Sequence, residues 1–207
     1  MGRREEQTEK TKAAIMDNAL RLFREKGYDS VSVEQITRAA GVAKGTFYTY
    51  FETKSDIIVE EFWKIDRYYQ EYAARNLRRY KRPADKLMAF TRAQMRYVRD
   101  EVGVDSLKIL YTNQILGSGG EREKVIVDPK RQWYRIIETI MAEGQAEGSF
   151  RSDIDASELA QVFNRSMRSV FLDWCIADGV FDLVKETLKY LDVWLLPALF
   201  VKSIKNS

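Results

Sequence analysis

The sequence predicts an all-α fold, and two observations support this prediction. Apolar residues recur at three- and four-residue spacing along most of the 207 residues, which is the period of an amphipathic helix. Segments that alternate β-branched and polar residues are scarce, and the chain has only three prolines to interrupt helices. Breaks in this pattern divide the chain into about nine predicted helices. With 45% hydrophobic residues, the chain can also bury a sizeable core.

The first predicted helix has a narrow apolar face and ends at a glycine. Its apolar residues follow the i, i+4, i+7, i+8 spacing, and they are Ile15, Ala19, Leu22 and Phe23. Arg24 and Lys26 give the helix a basic last turn before Gly27, which is the pattern of a helix C-terminus.

Two shorter helices are predicted next. Ser32 with Gln35 three positions later forms a capping box that opens the second helix, and Gly41 ends it. The third helix begins at about Ala43 and reaches Phe51. Two short helices joined by a glycine turn have the length and spacing of a helix-turn-helix. The N-terminal part is therefore predicted to be a three-helix domain that contains this motif.

The rest of the chain is predicted to form a larger helical domain. A long helix begins near Ser55 or Asp56 and fades near Tyr80. Later breaks between helices are predicted at Pro83, Gly103, residues 117–120, Asp128, Gly148 and Gly179. We expect the first domain to span residues 1–54 and the second to span residues 55–207.

The composition argues against most classes of enzyme. The sequence has no histidine, which removes the commonest general base and the commonest metal ligand. The single cysteine, Cys175, lies in an apolar run and is predicted to be a core thiol. Carboxylates such as Asp153, Asp155 and Glu158 could form an acid/base pair, but a loop and a helix cap explain them better. We expect no catalytic residue, no metal and no cofactor.

The charge is modest, and no membrane segment is predicted. The net charge is +3 with a pI near 8.8, so nucleic-acid binding cannot be argued from bulk charge. The first 12 residues are charged and polar, and the longest apolar run, residues 193–201, is far too short to span a membrane. We expect a cytoplasmic protein with no membrane partner. A basic run is interpreted as a solvated helix end rather than a second DNA contact: Arg75, Arg78, Arg79, Lys81 and Arg82.

The third helix is predicted to have two different sides. Phe47 and Phe51 lie one turn apart and are expected to face inward. The outward side then consists of small and polar residues, which are Gly45, Thr46, Tyr48 and Thr49. Glycine lets a backbone approach phosphate, and hydroxyls can contact base edges in a major groove. The alternative is that the aromatic residues form an ordinary core stripe, and the spacing alone favours neither interpretation.

The segment SVSVEQITRAAGVAKGTFYTYFETKSDII, residues 30–58, resembles the signature of the TetR family of bacterial transcriptional regulators, and the preceding AIMDNALRLFREKGYDS resembles the first helix of that family. The resemblance is ungapped and implies binding of double-stranded operator DNA. The residues implied to lie at or near the DNA are Ser32, Val33, Ala43, Lys44, Gly45, Thr46, Tyr48, Thr49, Tyr50 and Lys54. Tyr50 and Lys54 are implied to contact phosphates. Thr37, Ala43 and Thr49 depart from the family's usual pattern, so no operator sequence is carried over.

The last two predicted helices have more than one apolar face, so each needs cover on two sides. The segment SDIDASELAQVFNRSMRSVFLDWCIADGVFDLVKETLKYLD contains them and resembles the C-terminal pattern of the same family. The resemblance implies a four-helix interface in a homodimer, which would let two recognition helices read two half-sites. The residues predicted for this interface are Phe163, Met167, Val170, Phe171, Trp174, Leu188, Leu191, Trp194 and Leu195.

The middle of the chain is rich in aromatic residues and methionine, which could line a pocket for an apolar or aromatic small molecule. The predicted ligand contacts are Trp63, Met88, Met95, Tyr111, Trp133 and Met141, with Gln94, Asn113, Gln114 and Asn164 as possible polar contacts. Core packing explains most of them equally well. We expect a repressor that an unidentified effector releases from DNA. The alternative is a ligand-independent dimeric regulator or activator.

Overall fold

The computed structural model describes residues 3–116 and 124–201 and holds ten α-helices there. They are α1 (Arg3–Lys26), α2 (Val33–Ala40), α3 (Lys44–Tyr50), α4 (Lys54–Asn76), α5 (Pro83–Tyr97), α6 (Val104–Leu116), α7 (Gln132–Ala146), α8 (Ala156–Ile176), α9 (Leu183–Tyr190) and α10 (Leu196–Leu199). A π-helical segment, Leu191–Leu195, joins α9 to α10, so these two form one interrupted helix and the predicted fold is confirmed. Within the described ranges no strand is present. None of the helices there is long and apolar enough to cross a membrane.

The ends of the first three helices follow from the local sequence. Gly27 and Gly41 have φ angles of 80° and 68°, a left-handed conformation that glycine adopts without strain. At the start of α2, the Ser32 hydroxyl accepts a hydrogen bond from Gln35 N, and Ser32 N donates to Gln35 Oε1. The predicted capping box is therefore confirmed. Ala43 precedes α3 and supplies no side-chain cap.

Helix α4 begins at Lys54, one position earlier than predicted. The reason is Thr53, whose backbone N and Oγ1 donate to the Asp56 carboxylate at 2.8 and 3.0 Å. The helix ends at Asn76, and a short 3-10 turn, Leu77–Arg79, follows it. Pro83 then opens α5 as predicted.

The caps of α8 and α9 differ from the prediction. Asp155 has the extended backbone of an N-cap, but its side chain accepts no hydrogen bond from the helix, and Glu158 is exposed in the first turn. Asp155 therefore occupies the predicted N-cap position without a side-chain cap, and the prediction that Glu158 also caps α8 is wrong. Asp182 does cap α9, because its carboxylate accepts hydrogen bonds from Val184 N and Lys185 N at 3.0 Å. The break predicted at residues 117–120 lies outside the described residues.

The chain forms two compact units. Unit 1 combines Met1–Trp63 with Asp105–Ile126, and unit 2 combines Lys64–Val104 with Val127–Ser207. Helix α6 thus belongs with the N-terminal helices, and Arg24 of α1 donates from Nη1 to Ser106 Oγ of α6 at 3.0 Å. These packing units differ from a division at residues 54 and 55, which stays a prediction about functional domains.

Each unit has its own core. In unit 1 the largest fully buried side chains are Phe23, Phe47, Ile15, Ile36, Leu110, Ile57 and Ile58. An ion pair of 2.9 Å between Lys12 and Glu60 also ties α1 to α4. In unit 2, α5 packs against α7 and α9, and α7 packs against α8. At Gly144 of α7 a Cβ would lie 2.2 Å from the Phe150 ring, so this contact requires glycine.

Candidate nucleic-acid interface and ligand site

Helix α3 buries one side and exposes the other. Phe47 and Phe51 are buried, with ring centroids 5.5 Å apart. Tyr48 meets the Phe47 ring edge-on and keeps 50% of its surface exposed. The predicted inward pair is confirmed. The alternative of an aromatic core stripe accounts for the two phenylalanines but not for Tyr48.

The exposed side of α3 is small and polar. Lys44, Gly45, Tyr48 and Thr49 are exposed, and Thr46 and Tyr50 are half-buried beside them. Among the described residues, no atom beyond the chain neighbours of Gly45 and the α3 backbone lies within 4 Å of the position that a Cβ at Gly45 would take, so the backbone here is open to close approach. Thr49 Oγ1 donates to Gly45 O at 3.2 Å. The proton of the Thr49 hydroxyl is therefore engaged, and the lone pairs of its oxygen are available to an incoming donor.

The angle between α2 and α3 is set by hydrogen bonds around Gly41. Gly41 N donates to Arg38 O, and Val42 N donates to Thr37 O at 3.0 Å. The buried Thr37 side chain donates from Oγ1 to Glu34 O at 3.1 Å. Threonine is therefore accommodated at a position where the family resemblance leads us to expect alanine.

Lys44 is paired within the chain. Its ammonium forms an ion pair with Glu34 of α2, and both side chains are exposed. The hydrogen bond from Lys44 is the main reason that the pKa of Glu34 falls to about 2, and the Glu34 backbone and Ser32 contribute. The same hydrogen bond raises the pKa of Lys44. A phosphate would therefore compete with Glu34 for a lysine that is fully charged.

Lys54 binds backbone carbonyls within the chain. Its Nζ donates to the carbonyls of Tyr28, Val31 and Asp29 at 2.7, 3.0 and 3.4 Å, and it lies 4.3 Å from the centroid of the Tyr28 ring. Burial lowers the pKa of this ammonium. An ammonium has three protons, and these three carbonyls can accept all of them, so a phosphate would have to displace a carbonyl. Lys54 thus holds the loop between α1 and α2 to the start of α4, and its phosphate contact stays a prediction.

Three further residues in the predicted DNA set lie at helix starts. Ser32 is exposed, but its hydroxyl is engaged in the cap of α2. Val33 is half-buried in the first turn of α2, and Ala43 is exposed just before α3. Their contacts with DNA stay predictions.

The predicted ligand contacts fall in both units. Trp63 and Tyr111 belong to unit 1, whereas Met88, Met95, Trp133 and Met141 belong to unit 2. Met95 and Met141 are fully buried, as core packing alone would explain. Met88 lines a groove of about 610 Å³ beside α5 and α10. Among the possible polar contacts, Gln114 is engaged within the chain because its Oε1 accepts a hydrogen bond from Ile126 N at 3.1 Å. The ligand contacts therefore stay predictions.

A buried ion pair in unit 2 was not predicted from the sequence. Arg131 donates from Nε and Nη2 to Asp66 Oδ1 at 3.1 and 2.7 Å, and Gln132 N donates to Asp66 Oδ2 at 3.0 Å. Both charged residues are buried. The pair joins α4 to the start of α7 across 65 positions of sequence. No local pattern identifies such a pair, because each residue alone resembles a surface charge.

The predicted dimer contacts divide into buried and exposed residues. The buried ones form part of the core of unit 2: Phe163, Met167, Phe171, Trp174 and Leu191. They offer little surface to a second chain. Val170, Leu188 and Leu195 are half-buried, and Trp194 is exposed. The interface itself stays a prediction, but five of the nine residues named for it already pack within one chain.

Two family models together match most of the sequence. Residues 15–60 match the family described as bacterial regulatory proteins, tetR family, and residues 64–195 match the C-terminal region of YsiA-like proteins. The fatty acid metabolism regulator protein of Bacillus subtilis is 25% identical over 179 residues, covering 86% of this chain and 91% of the relative. The transcriptional regulator AcrR of Shigella flexneri is 24% identical, covering 97% and 95%.

Solved structures share the fold. FadR, the fatty acid degradation regulator of Bacillus halodurans, superimposes with a TM-score of 0.73 at 24% identity, covering 90% of this chain and 98% of that one. FadR of Bacillus subtilis in complex with stearoyl-CoA gives a TM-score of 0.70 at 24% identity, covering 86% and 96%. The second family model alone spans more than half of the chain, and the first covers the α2–α3 motif. The chain therefore belongs to the TetR family of bacterial transcriptional regulators.

Proposed function

We propose that this chain is a cytoplasmic repressor that binds operator DNA as a homodimer and releases it when an acyl-CoA binds unit 2. The observation that carries the proposal is the two-sided α3. A buried aromatic pair fixes the helix, and the exposed side carries the kinds of group that contact phosphates and base edges. In a family of bacterial regulatory proteins, such a helix suits insertion into a major groove.

Each group on α3 has a distinct use in this proposal. Tyr48 is held against Phe47 and can present its hydroxyl to a phosphate. Thr49 can accept a hydrogen bond from a base amino group, and Gly45 allows the backbone to come close. Lys44 supplies a charge if its ammonium exchanges its carboxylate partner for a phosphate.

The proposed dimer uses exposed apolar residues rather than the buried face of α8. These residues are Val162, Leu172, Ile176, Val193 and Trp194. Val162 and Ile176 are about four turns apart and so lie on one side of the helix. Ile176 and Trp194 are 71% and 68% exposed, and exposed large apolar side chains can mark an interaction surface.

A charge reversal of this apolar surface tests the dimer. The double variant Ile176→Asp/Trp194→Asp should sediment as a monomer with unchanged helical circular dichroism, and it should bind operator weakly because one half-site is lost. Val180→Asp is the control, since Val180 is 86% exposed in the loop before α9. A dimeric double variant would refute the proposed interface.

Acyl-CoA is the proposed effector class because of the relatives. The relative with 25% identity over most of both chains is a fatty acid metabolism regulator, and FadR structures hold stearoyl-CoA and lauroyl-CoA. Two features of unit 2 suit such a ligand. Its core of aromatic, methionine and isoleucine side chains can receive an acyl chain. Arg92 and Arg96 on α5 are exposed and could bind phosphates.

Helix α4 offers a physical link between effector and DNA. It is part of unit 1 up to Trp63 and part of unit 2 from Lys64 onward. In unit 2 it carries Asp66, which is bound to Arg131, and in unit 1 it begins with Lys54, which holds the loop before α2. A ligand that displaces α4 could thus change the dimer geometry that engages DNA, provided it binds the two geometries with different affinity.

The decisive experiment uses the DNA that flanks the protein's own gene. We expect fluorescence anisotropy to detect binding to a labelled fragment of this DNA and lauroyl-CoA to reverse it, whereas coenzyme A alone should not. Tyr48→Phe should weaken binding without changing the dimer. Binding that no acyl-CoA affects would overturn the effector proposal and favour a ligand-independent regulator.

A further inference from the structure

Four polar atoms in unit 2 have no hydrogen-bond partner within the part of the chain that the structure describes. They are Thr91 Oγ1, Gln94 Oε1, Trp133 Nε1 and Asn164 Nδ2, and we call them the unpaired polar set. The exposures of these residues are 0, 4, 3 and 4%. Since most buried polar groups in folded proteins are hydrogen-bonded, four such atoms in one unit require an explanation.

Similar side chains elsewhere in unit 2 do have partners. Trp174 donates from Nε1 to Phe181 O at 3.2 Å, and Thr187, which is also fully buried, donates from Oγ1 to Leu183 O at 2.6 Å. Unit 2 therefore provides a hydrogen-bond acceptor for one buried indole N–H and for one buried threonine hydroxyl. The unpaired polar set is a local exception and not a general property of this core.

The set surrounds one aromatic cluster. The Trp133 ring stacks on Phe90 with centroids 5.0 Å apart and lies 6.4 Å from the centroid of Phe163. Gln94 follows Phe90 by one turn of α5, and Asn164 follows Phe163 directly in α8. The residues of the set thus lie on three helices, each within one helical turn of a ring in this cluster.

Two further contacts support this placement. Arg168, one turn beyond Asn164, donates from Nη1 to the hydroxyl of Tyr134 at 2.7 Å, so this part of α8 lies against the residue next to Trp133. On α5, Thr91 and Gln94 lie within an arc of about 100° that starts at Phe90. The residues of the set therefore lie on α5, α7 and α8 beside rings and side chains that contact one another.

We infer that the unpaired polar set is the polar end of the effector site, where its donors Trp133 Nε1 and Asn164 Nδ2 bind an uncharged carbonyl oxygen joined to an apolar chain, as in an acyl thioester. This inference rests on the proposed function and specifies its ligand contacts. The indole N–H of Trp133 can only donate, so its partner must be an acceptor. Asn164 Nδ2 is a second donor, and a carbonyl oxygen has two lone pairs.

The surroundings favour an uncharged ligand group over a carboxylate. Burying an ionised carboxylate is costly unless a cation pairs with it. Arg131 lies two positions before Trp133, but its guanidinium already binds Asp66, and the guanidinium of Arg168 donates to the Tyr134 hydroxyl. An acyl thioester carbonyl needs no counter-charge, whereas a free fatty acid would.

The first test asks whether the unpaired atoms are unpaired in the free protein. Thr91→Val keeps the shape and removes the hydroxyl, so its melting temperature should equal or exceed that of the wild type. Thr187→Val is the matched control, and it should melt lower because it loses a hydrogen bond. An equal loss in both variants would overturn the inference, because Thr91 would then have a partner within the protein.

The second test compares two ligands that differ by one oxygen. Lauroyl-CoA carries the thioester carbonyl, and S-dodecyl-CoA is the thioether without it. One hydrogen bond corresponds to about a 2- to 12-fold difference in affinity. Wild type should therefore bind lauroyl-CoA about 2- to 12-fold more tightly, or more, than it binds S-dodecyl-CoA. Trp133→Phe should show a smaller preference, and Trp174→Phe, whose indole has a partner, should keep the wild-type preference.

The outcomes separate this inference from the proposed function. If lauroyl-CoA releases DNA from wild type and Trp133→Phe retains the full preference for it, the inference is wrong and the acyl-CoA response stands. If lauroyl-CoA binds with the expected preference but does not release DNA, the inference stands and the repressor mechanism is wrong. If neither ligand binds wild type, both are wrong.

Discussion

Replacing Lys54 by methionine should destabilise the protein without changing how DNA binding depends on salt. The substitution keeps most of the side-chain length and removes an ammonium that donates to three backbone carbonyls at 2.7 to 3.4 Å. A hydrogen bond to a charged group contributes about 1.5 to 3 kcal/mol. Because the side chain is half-buried and one bond is long, we expect a total loss of about 1 to 3 kcal/mol. At about 2 to 4 °C per kcal/mol, this is a decrease in melting temperature of about 2 to 12 °C.

Lys44→Met is the matched comparison, since Lys44 is exposed and pairs only with another exposed side chain. Its stability should change little, but the slope of log affinity against log salt should become shallower by about 0.9 if Lys44 contacts one phosphate. Thermal unfolding and anisotropy titrations at several salt concentrations measure both quantities. If Lys54→Met unfolded like wild type and lost a unit of salt slope, the structural role assigned to Lys54 would be refuted.

Three other substitutions or conditions test the described contacts. Asp66→Asn should lower the free energy of unfolding by about 3 to 5 kcal/mol, because Arg131 would remain buried without its charge partner; a loss equal to that of Asp66→Leu/Arg131→Met in urea unfolding would contradict this. The pKa of Glu34 is lowered to about 2 from 4.5, so its pairing should be complete above pH 4.5 and lost as the pH falls to 2, and an NMR titration midpoint near 4.5 would exclude the pair. Ala43→Ser should stabilise the protein by about 1 kcal/mol by capping α3, and unchanged thermal unfolding would show that α3 needs no cap.

The sequence predicts the N-terminal helices well because their boundaries are encoded locally. The capping box of Ser32 and Gln35, the glycines that end α1 and α2, and the inward pair Phe47 and Phe51 all depend on residues within one or two turns of each other. Short-range hydrogen bonds and helical periodicity determine such features. The exposed side of α3 follows directly once its buried side is known.

Long-range contacts are what the sequence alone does not predict. Lys54 next to a DNA-binding motif resembles a phosphate ligand, but its acceptors lie 23 to 26 positions away in the loop after α1. Four of the five apolar residues of α8 predicted for a dimer are buried in one chain, where α8 packs against α7 and α9. Periodicity identifies an apolar face but not which helix, in which chain, packs against it. Asp155 occupies the N-cap position of α8 as predicted, but its side chain makes no hydrogen bond to the helix.

The pairing of Lys44 with Glu34 has a consequence for how the protein would search a genome. Sequence-independent attraction to DNA arises from cations that displace counterions at phosphates. A recognition helix whose lysine is already neutralised by a neighbouring carboxylate should dwell only briefly on random DNA. A genome presents about a million or more competing non-specific sites, so weak retention at each of them leaves more protein free to find its operator. Glu34 would thus favour selectivity at the expense of affinity.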